Sequence, residues 1–74
     1  MKNLKSKFGK RLRELREKQG LSQEKLAFRV ELSREYISRI EGGKRNVSLE
    51  VIEKLATALD VDVDKLFLFE KRDI

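Results

Sequence analysis

The segment LSREYISRIEGGKR, Leu32 to Arg45, gathers the side chains of this chain best suited to do chemistry. Arg34, Glu35, Tyr36, Ser38 and Arg39 lie close together in it, and Lys44, Arg45 and then Asn46 follow a pair of glycines. The set supplies hydrogen-bond donors, one carboxylate acceptor and one aromatic ring, but no nucleophile with a base beside it. The chain of 74 residues has no histidine and no cysteine, which excludes thiolate catalysis, disulfides and the usual zinc or haem ligation. Its carboxylates are scattered along amphipathic stretches, so an enzyme is the weakest function class, and neither cofactor nor metal is expected. What remains for these residues is recognition or a plain solvated face.

Their directions follow from helix geometry. Ser33 offers an N-cap, and the helix it starts must end by Gly42 and Gly43. At about 100° per residue, with Ile37 and Ile40 facing a core, Glu35, Ser38 and Arg39 point away from it and Arg34 and Tyr36 flank that arc. A helix of this diameter fits the DNA major groove, where arginine can bond O6 and N7 of guanine and serine can serve either donor or acceptor sites. Arg34 and Arg39 are the best candidate base readers. Glu35 could accept from a cytosine amino group or simply pair with its arginine neighbours. Tyr36 could pack on a thymine methyl, bond a phosphate or only pack. Lys44, Arg45 and Asn46 suit phosphate contacts, which position without specifying, or a solvated turn.

The elements that must hold this helix are also written in the sequence. Leu4, Phe8, Leu12 and Leu15 make an apolar stripe on a basic helix of roughly residues 5 to 19, stopped at Gly20. Ser22 can cap a second helix, QEKLAFRV, with Leu26, Ala27 and Val30 inward and Glu24 in the first turn, where negative charge is favoured. Ser48 can cap LEVIEKLATALD, whose stripe of Leu49, Ile52, Leu55, Ala56 and Leu59 is expected to form the central core helix. Asp62 can cap a fifth element, VDKLFLFE, read as helix over at least residues 63 to 68, with Val63, Leu66 and Phe67 on one side. Leu68 and Phe69 then exceed what a monomer core needs.

Charge divides the chain. Residues 1 to 46 hold 14 Lys/Arg against 6 Asp/Glu, and residues 47 to 74 hold 4 against 7, which gives +8 and −3. A basic front and an acidic back fit a polyanion partner on one face, nucleic acid or an anionic membrane surface, although basic small proteins are common. A membrane role would need a wide exposed apolar face on helix one, which that helix spends on the core. No apolar run reaches the roughly 20 residues of a membrane span, and the N-terminus lacks a secretory leader, so a cytoplasmic protein is expected. The length allows one compact domain, residues 1–74.

Two helices joined by a short turn need particular residue sizes. Ala27 is small where the pair must cross, and Leu26, Val30, Leu32, Ile37 and Ile40 supply apolar contacts. With these residues, GLSQEKLAFRVELSREYISRIEGGKR resembles the helix-turn-helix family of phage repressors and Cro-like regulators, over roughly residues 8 to 68. The resemblance implies an all-α, compact five-helix bundle, a lambda-repressor-like DNA-binding domain. One departure is Glu31, where the family usually has glycine in a left-handed turn. A residue other than glycine there costs about 1 to 2 kcal/mol.

The resemblance also implies that Gln23 bonds the DNA backbone and buttresses the reading helix, an ordinary first helical residue being the alternative. It further implies a structural pair, Arg16 with Glu41. The resulting DNA-binding set is Gln23, Ser33, Arg34, Glu35, Tyr36, Ser38, Arg39, Lys44, Arg45 and Asn46. One reading helix covers few base pairs, so a homodimer on double-stranded DNA is expected, reading an inverted repeat with helices about 34 Å apart. Val61, Leu68 and Phe69 are the candidate dimer contacts, with Phe69 folding back on its own core as the alternative.

YISRIEGGKRN followed by SLEVIEKLATAL looks most like the controller proteins of restriction-modification systems, for which RNA polymerase is a further expected partner and no small-molecule ligand is expected. Prophage repressors, antitoxins and housekeeping regulators share the motif. A protein-interaction module that binds an acidic partner is the alternative from another class.

Overall fold

The computed structural model describes residues 3–69. They form α1 (Leu4–Lys18), α2 (Gln23–Val30), α3 (Arg34–Glu41) and α4 (Leu49–Leu59), followed by a short 3₁₀ helix, Val63–Phe67. No strand occurs among the described residues. The all-α expectation holds, with one correction: four elements are α-helices and the fifth is 3₁₀, ending before residue 68. Glu70, the last residue of the expected fifth element, lies outside the described residues. The cap expected from Asp62 does not form, since its side chain makes no capping bond. Arg11 instead ties this segment down from α1, its Nε donating to the Lys65 carbonyl at 2.8 Å.

The other three caps form as expected. Ser22, Ser33 and Ser48 each accept a backbone N–H three residues on, from Lys25 at 3.0 Å, Tyr36 at 3.0 Å and Val51 at 3.1 Å. Each such cap stabilises its helix by about 1 kcal/mol. The helices also end alike, in a left-handed residue at Gly20, Glu31, Gly43 and Asp60. At the turn between α2 and α3, Glu31 (φ 59°) sends its N–H to Phe28 O at 3.3 Å, and Leu32 sends its own to Ala27 O at 2.9 Å. This pair of bonds is a Schellman closure. The helix-turn-helix turn is thus left-handed although it lacks glycine.

α3 packs against α1 and α2, α2 packs against α4, and the 3₁₀ helix joins α4 back to α1. The elements therefore close a ring, which corrects the expectation that α4 is central. Leu12, Leu26, Ile37, Ile40, Leu55, Leu59 and Leu66 are fully buried inside it. Leu4 and Leu49, expected in the core stripes, are 48% and 82% exposed. Each is the first residue of its helix and projects past the core's edge. Phe67 also remains partly exposed, because successive 3₁₀ residues turn by about 120° and it follows the inward-facing Leu66; Val63 shares Leu66's side but, as the first residue of the helix, is left partly exposed too.

Two further features of the ring bear on α3. Gly9 lets α1 lie directly on the end of α3: a Cβ there would stand 2.1 Å from the Ile40 carbonyl oxygen. Across the ring from α3, α4 and the segment after it carry Glu50, Glu53, Asp60, Asp62 and Asp64.

Candidate nucleic-acid interface

α3 is held from below and open above. Ile37 and Ile40 are buried, while Arg34, Glu35, Ser38 and Arg39 are exposed, as the helical geometry predicts. Among the described residues no ion pair engages Arg34, Glu35 or Arg39. Pairing with neighbouring arginines therefore does not account for Glu35, whose carboxylate is left to accept from an outside donor. Ser33 is spent as an acceptor on the Tyr36 N–H, but its hydroxyl hydrogen is still available.

Behind α3, the N–H groups of Gly43 and Lys44 bond Ile40 O at 3.0 Å and Arg39 O at 2.9 Å. This closure turns the chain back so that the Arg45 guanidinium lies over the Tyr36 ring, 4.5 Å from its centroid. Tyr36 is half-buried and packs against the core. The sequence pointed to both residues separately but not to their pairing, whose signal lies in the two-glycine reversal between them. Lys44 and Asn46 are exposed on the same loop.

Beneath this surface lies a charged cluster. Arg16 donates from Nε to Glu41 Oε2 at 2.6 Å, from Nη2 to Glu41 Oε1 at 3.0 Å, and from Nη1 to the Leu21 carbonyl at 2.6 Å. The hydrogen bonding with Glu41 raises the Arg16 pKa above its ordinary value; desolvation opposes this, and the charges of Glu41 and Glu17 add to it. Gln23, at the start of α2, donates from Nε2 to Glu41 Oε1 at 3.0 Å. The pair implied by the resemblance is formed, and Gln23 joins it, which is the buttressing half of its expected role.

The three dimer candidates are not equivalent. Leu68 is exposed, whereas Val61 packs partly against the core. The Phe69 ring lies 6.2 Å from Phe67, which lies 5.2 Å from Phe8. Phe69 thus folds back onto its own chain, as in the alternative reading. Phe28, not among the residues expected from the sequence, stands 84% exposed on α2. Its offset from Leu26, Ala27 and Val30 on the helical wheel was the available signal. Among the described residues there is no cluster of metal-ligating side chains and no helix long and apolar enough to cross a membrane.

Comparison with known proteins places this geometry. Residues 12–66 match the family model described as helix-turn-helix. The chain is 47% identical over 68 residues to the control protein C.MunI of Mycoplasma, spanning 90% of this chain and 92% of that one. It is 50% identical over 68 residues to the control protein C.BamHI of Bacillus amyloliquefaciens, spanning 90% and 84%. The crystal structure of the restriction-modification controller protein C.AhdI of Aeromonas hydrophila superposes with a TM-score of 0.83 and 59% identity, covering 85% of this chain and 91% of that one. With its two short helices, their left-handed turn and the outward face of α3, this chain belongs to the helix-turn-helix family.

Proposed function

We propose that the chain is a DNA-binding transcriptional regulator, the controller protein of a restriction-modification system, acting as a homodimer on an inverted-repeat operator. The single observation that carries DNA reading is the unpaired outward set Arg34, Glu35, Ser38 and Arg39 on a helix fixed by Ile37 and Ile40. Arg45 on its tyrosine platform, with Lys44 and Asn46, supplies the phosphate contacts that set register. The similarity to control proteins supports the subtype.

On this reading residues 1–74 work as one domain in the cytoplasm, without a small-molecule ligand. RNA polymerase is a further partner on this reading. Selecting bound sites from a random DNA pool tests this. An enriched inverted repeat is expected; enrichment of single half-sites would remove the dimer, and no enrichment would remove sequence-specific binding.

A further inference from the structure

α3 carries two carboxylates, and one of them is already spent. Glu41 accepts from Arg16 and from Gln23. Glu35 stands on the outward face, and among the described residues no hydrogen bond or ion pair takes up its oxygens. Arg39 follows it at the i,i+4 spacing at which a glutamate pairs with a basic residue, yet the two are not bonded. The first turn of α3 suits a negative charge through the helix dipole, but that attraction uses no lone pair and leaves both oxygens open.

In a major groove such a group selects by the sense of its hydrogen bonds. Arg34 and Arg39 can only donate there, Ser38 can do either, and a carboxylate can only accept. Phosphates and the O6, O4 and N7 atoms of the bases accept as well and repel it; the donors on offer are the exocyclic amino groups, cytosine N4 and adenine N6. Each amino group has two hydrogens, one of them held in the base pair, so the carboxylate depends on the other. A methyl group on that nitrogen, in a base that stays paired, takes the groove-side place. It removes the hydrogen Glu35 needs and sets a carbon against the carboxylate.

We propose that Glu35 makes operator binding responsive to methylation of a base amino group: the protein holds the unmodified duplex and releases one in which the cytosine N4 or adenine N6 facing Glu35 is methylated. Methylation at cytosine C5 leaves the amino hydrogen in place and escapes this residue. The inference rests on the DNA-binding reading and adds to it a chemical mark that the outward face of α3 distinguishes.

The test uses the full chain and the operator duplex selected from the random pool, with each cytosine and adenine of one half-site replaced in turn by its amino-methylated form. Fluorescence anisotropy should show a loss of about ten- to a hundred-fold at the position facing Glu35, the worth of a hydrogen bond to a charged group. Glu35→Ala, a change at an exposed position, should bind the methylated and unmodified duplexes of that position alike. No loss at any position overturns the proposal while leaving DNA binding standing. A loss that persists in Glu35→Ala assigns the clash to another side chain and overturns it too.

Where the position is a cytosine, 5-methylcytosine separates the lost hydrogen from mere crowding. Wild type and Glu35→Ala should respond to it equally. A loss confined to wild type would mean that Glu35 senses bulk rather than the amino hydrogen, which sinks the idea. A chain that selects no duplex from the pool removes the DNA-binding reading itself.

Discussion

Arg45 stacks on Tyr36 with its guanidinium carbon 4.5 Å from the ring centroid, so the loop that follows α3 is fastened to the helix itself. An exposed contact of this kind contributes about 0.5–1 kcal/mol. Tyr36→Ala should release Arg45 and weaken random and operator DNA alike by about two- to five-fold, read by fluorescence anisotropy. Tyr36→Phe keeps the ring and should leave random binding intact; an equal loss in both variants would assign the effect to the hydroxyl.

Arg39 and Arg45 should separate by kind of loss. Arg39→Ala is expected to lose about 1 to 3 kcal/mol, mainly at one base position, whereas Arg45→Ala should weaken every sequence alike and reduce the salt slope by about one. Competition binding against singly substituted operators measures both. Equal loss on operator and random DNA for Arg39→Ala would remove it from the readers.

For the proposed dimer, Leu68 is the sharper target because it is exposed, whereas Phe69 is engaged by Phe67. Leu68→Glu should yield monomers in sedimentation at concentrations where the parent dimerises, with the far-ultraviolet circular dichroism unchanged. A dimer that persists would place the contact elsewhere on the chain.

Breaking the buried pair should cost stability. Glu41→Ala leaves the Arg16 guanidinium buried without its carboxylate, at about 3–5 kcal/mol in urea unfolding. The Arg16 pKa is raised in the fold, so its contribution is complete below the ordinary arginine range and is lost only as pH climbs through the folded value. The difference between Glu41→Ala and the parent should therefore be the same at about pH 7 and about pH 10. A difference that shrinks over that interval would contradict the assignment.

Glu31 holds a left-handed backbone, φ 59°, that glycine adopts without penalty. Against the greater freedom glycine has in the unfolded chain, Glu31→Gly should stabilise by about 0.5–1 kcal/mol. A raised thermal midpoint with unchanged DNA affinity would show that the turn, not the glutamate side chain, is what the motif uses at this position.

The sequence made the three serine caps legible because each cap needs only a hydroxyl just before an apolar-periodic run. The direction of Arg34, Glu35, Ser38 and Arg39 was equally legible, since Ile37 and Ile40 fix the phase of so short a helix. The fifth element was misread as α-helix because five residues carry too little periodicity to separate it from a 3₁₀ turn, and Arg11, far away in sequence, holds it. Leu49 misled for a different reason: a stripe gives the phase of a residue but not whether the core extends to its end of the helix. Tyr36 and Arg45 belong to separate segments, and only the closure at Gly43 brings them together.

The acidic edge of α4 and the segment after it, lying across the ring from the arginines of α3, gives the molecule a permanent electric dipole. In the field of a duplex that dipole feels a torque before any contact forms. The molecule should arrive already turned, reading helix forward, and so shorten its rotational search; steering of this kind raises association rates by about 10–10³-fold and fades as salt screens the field.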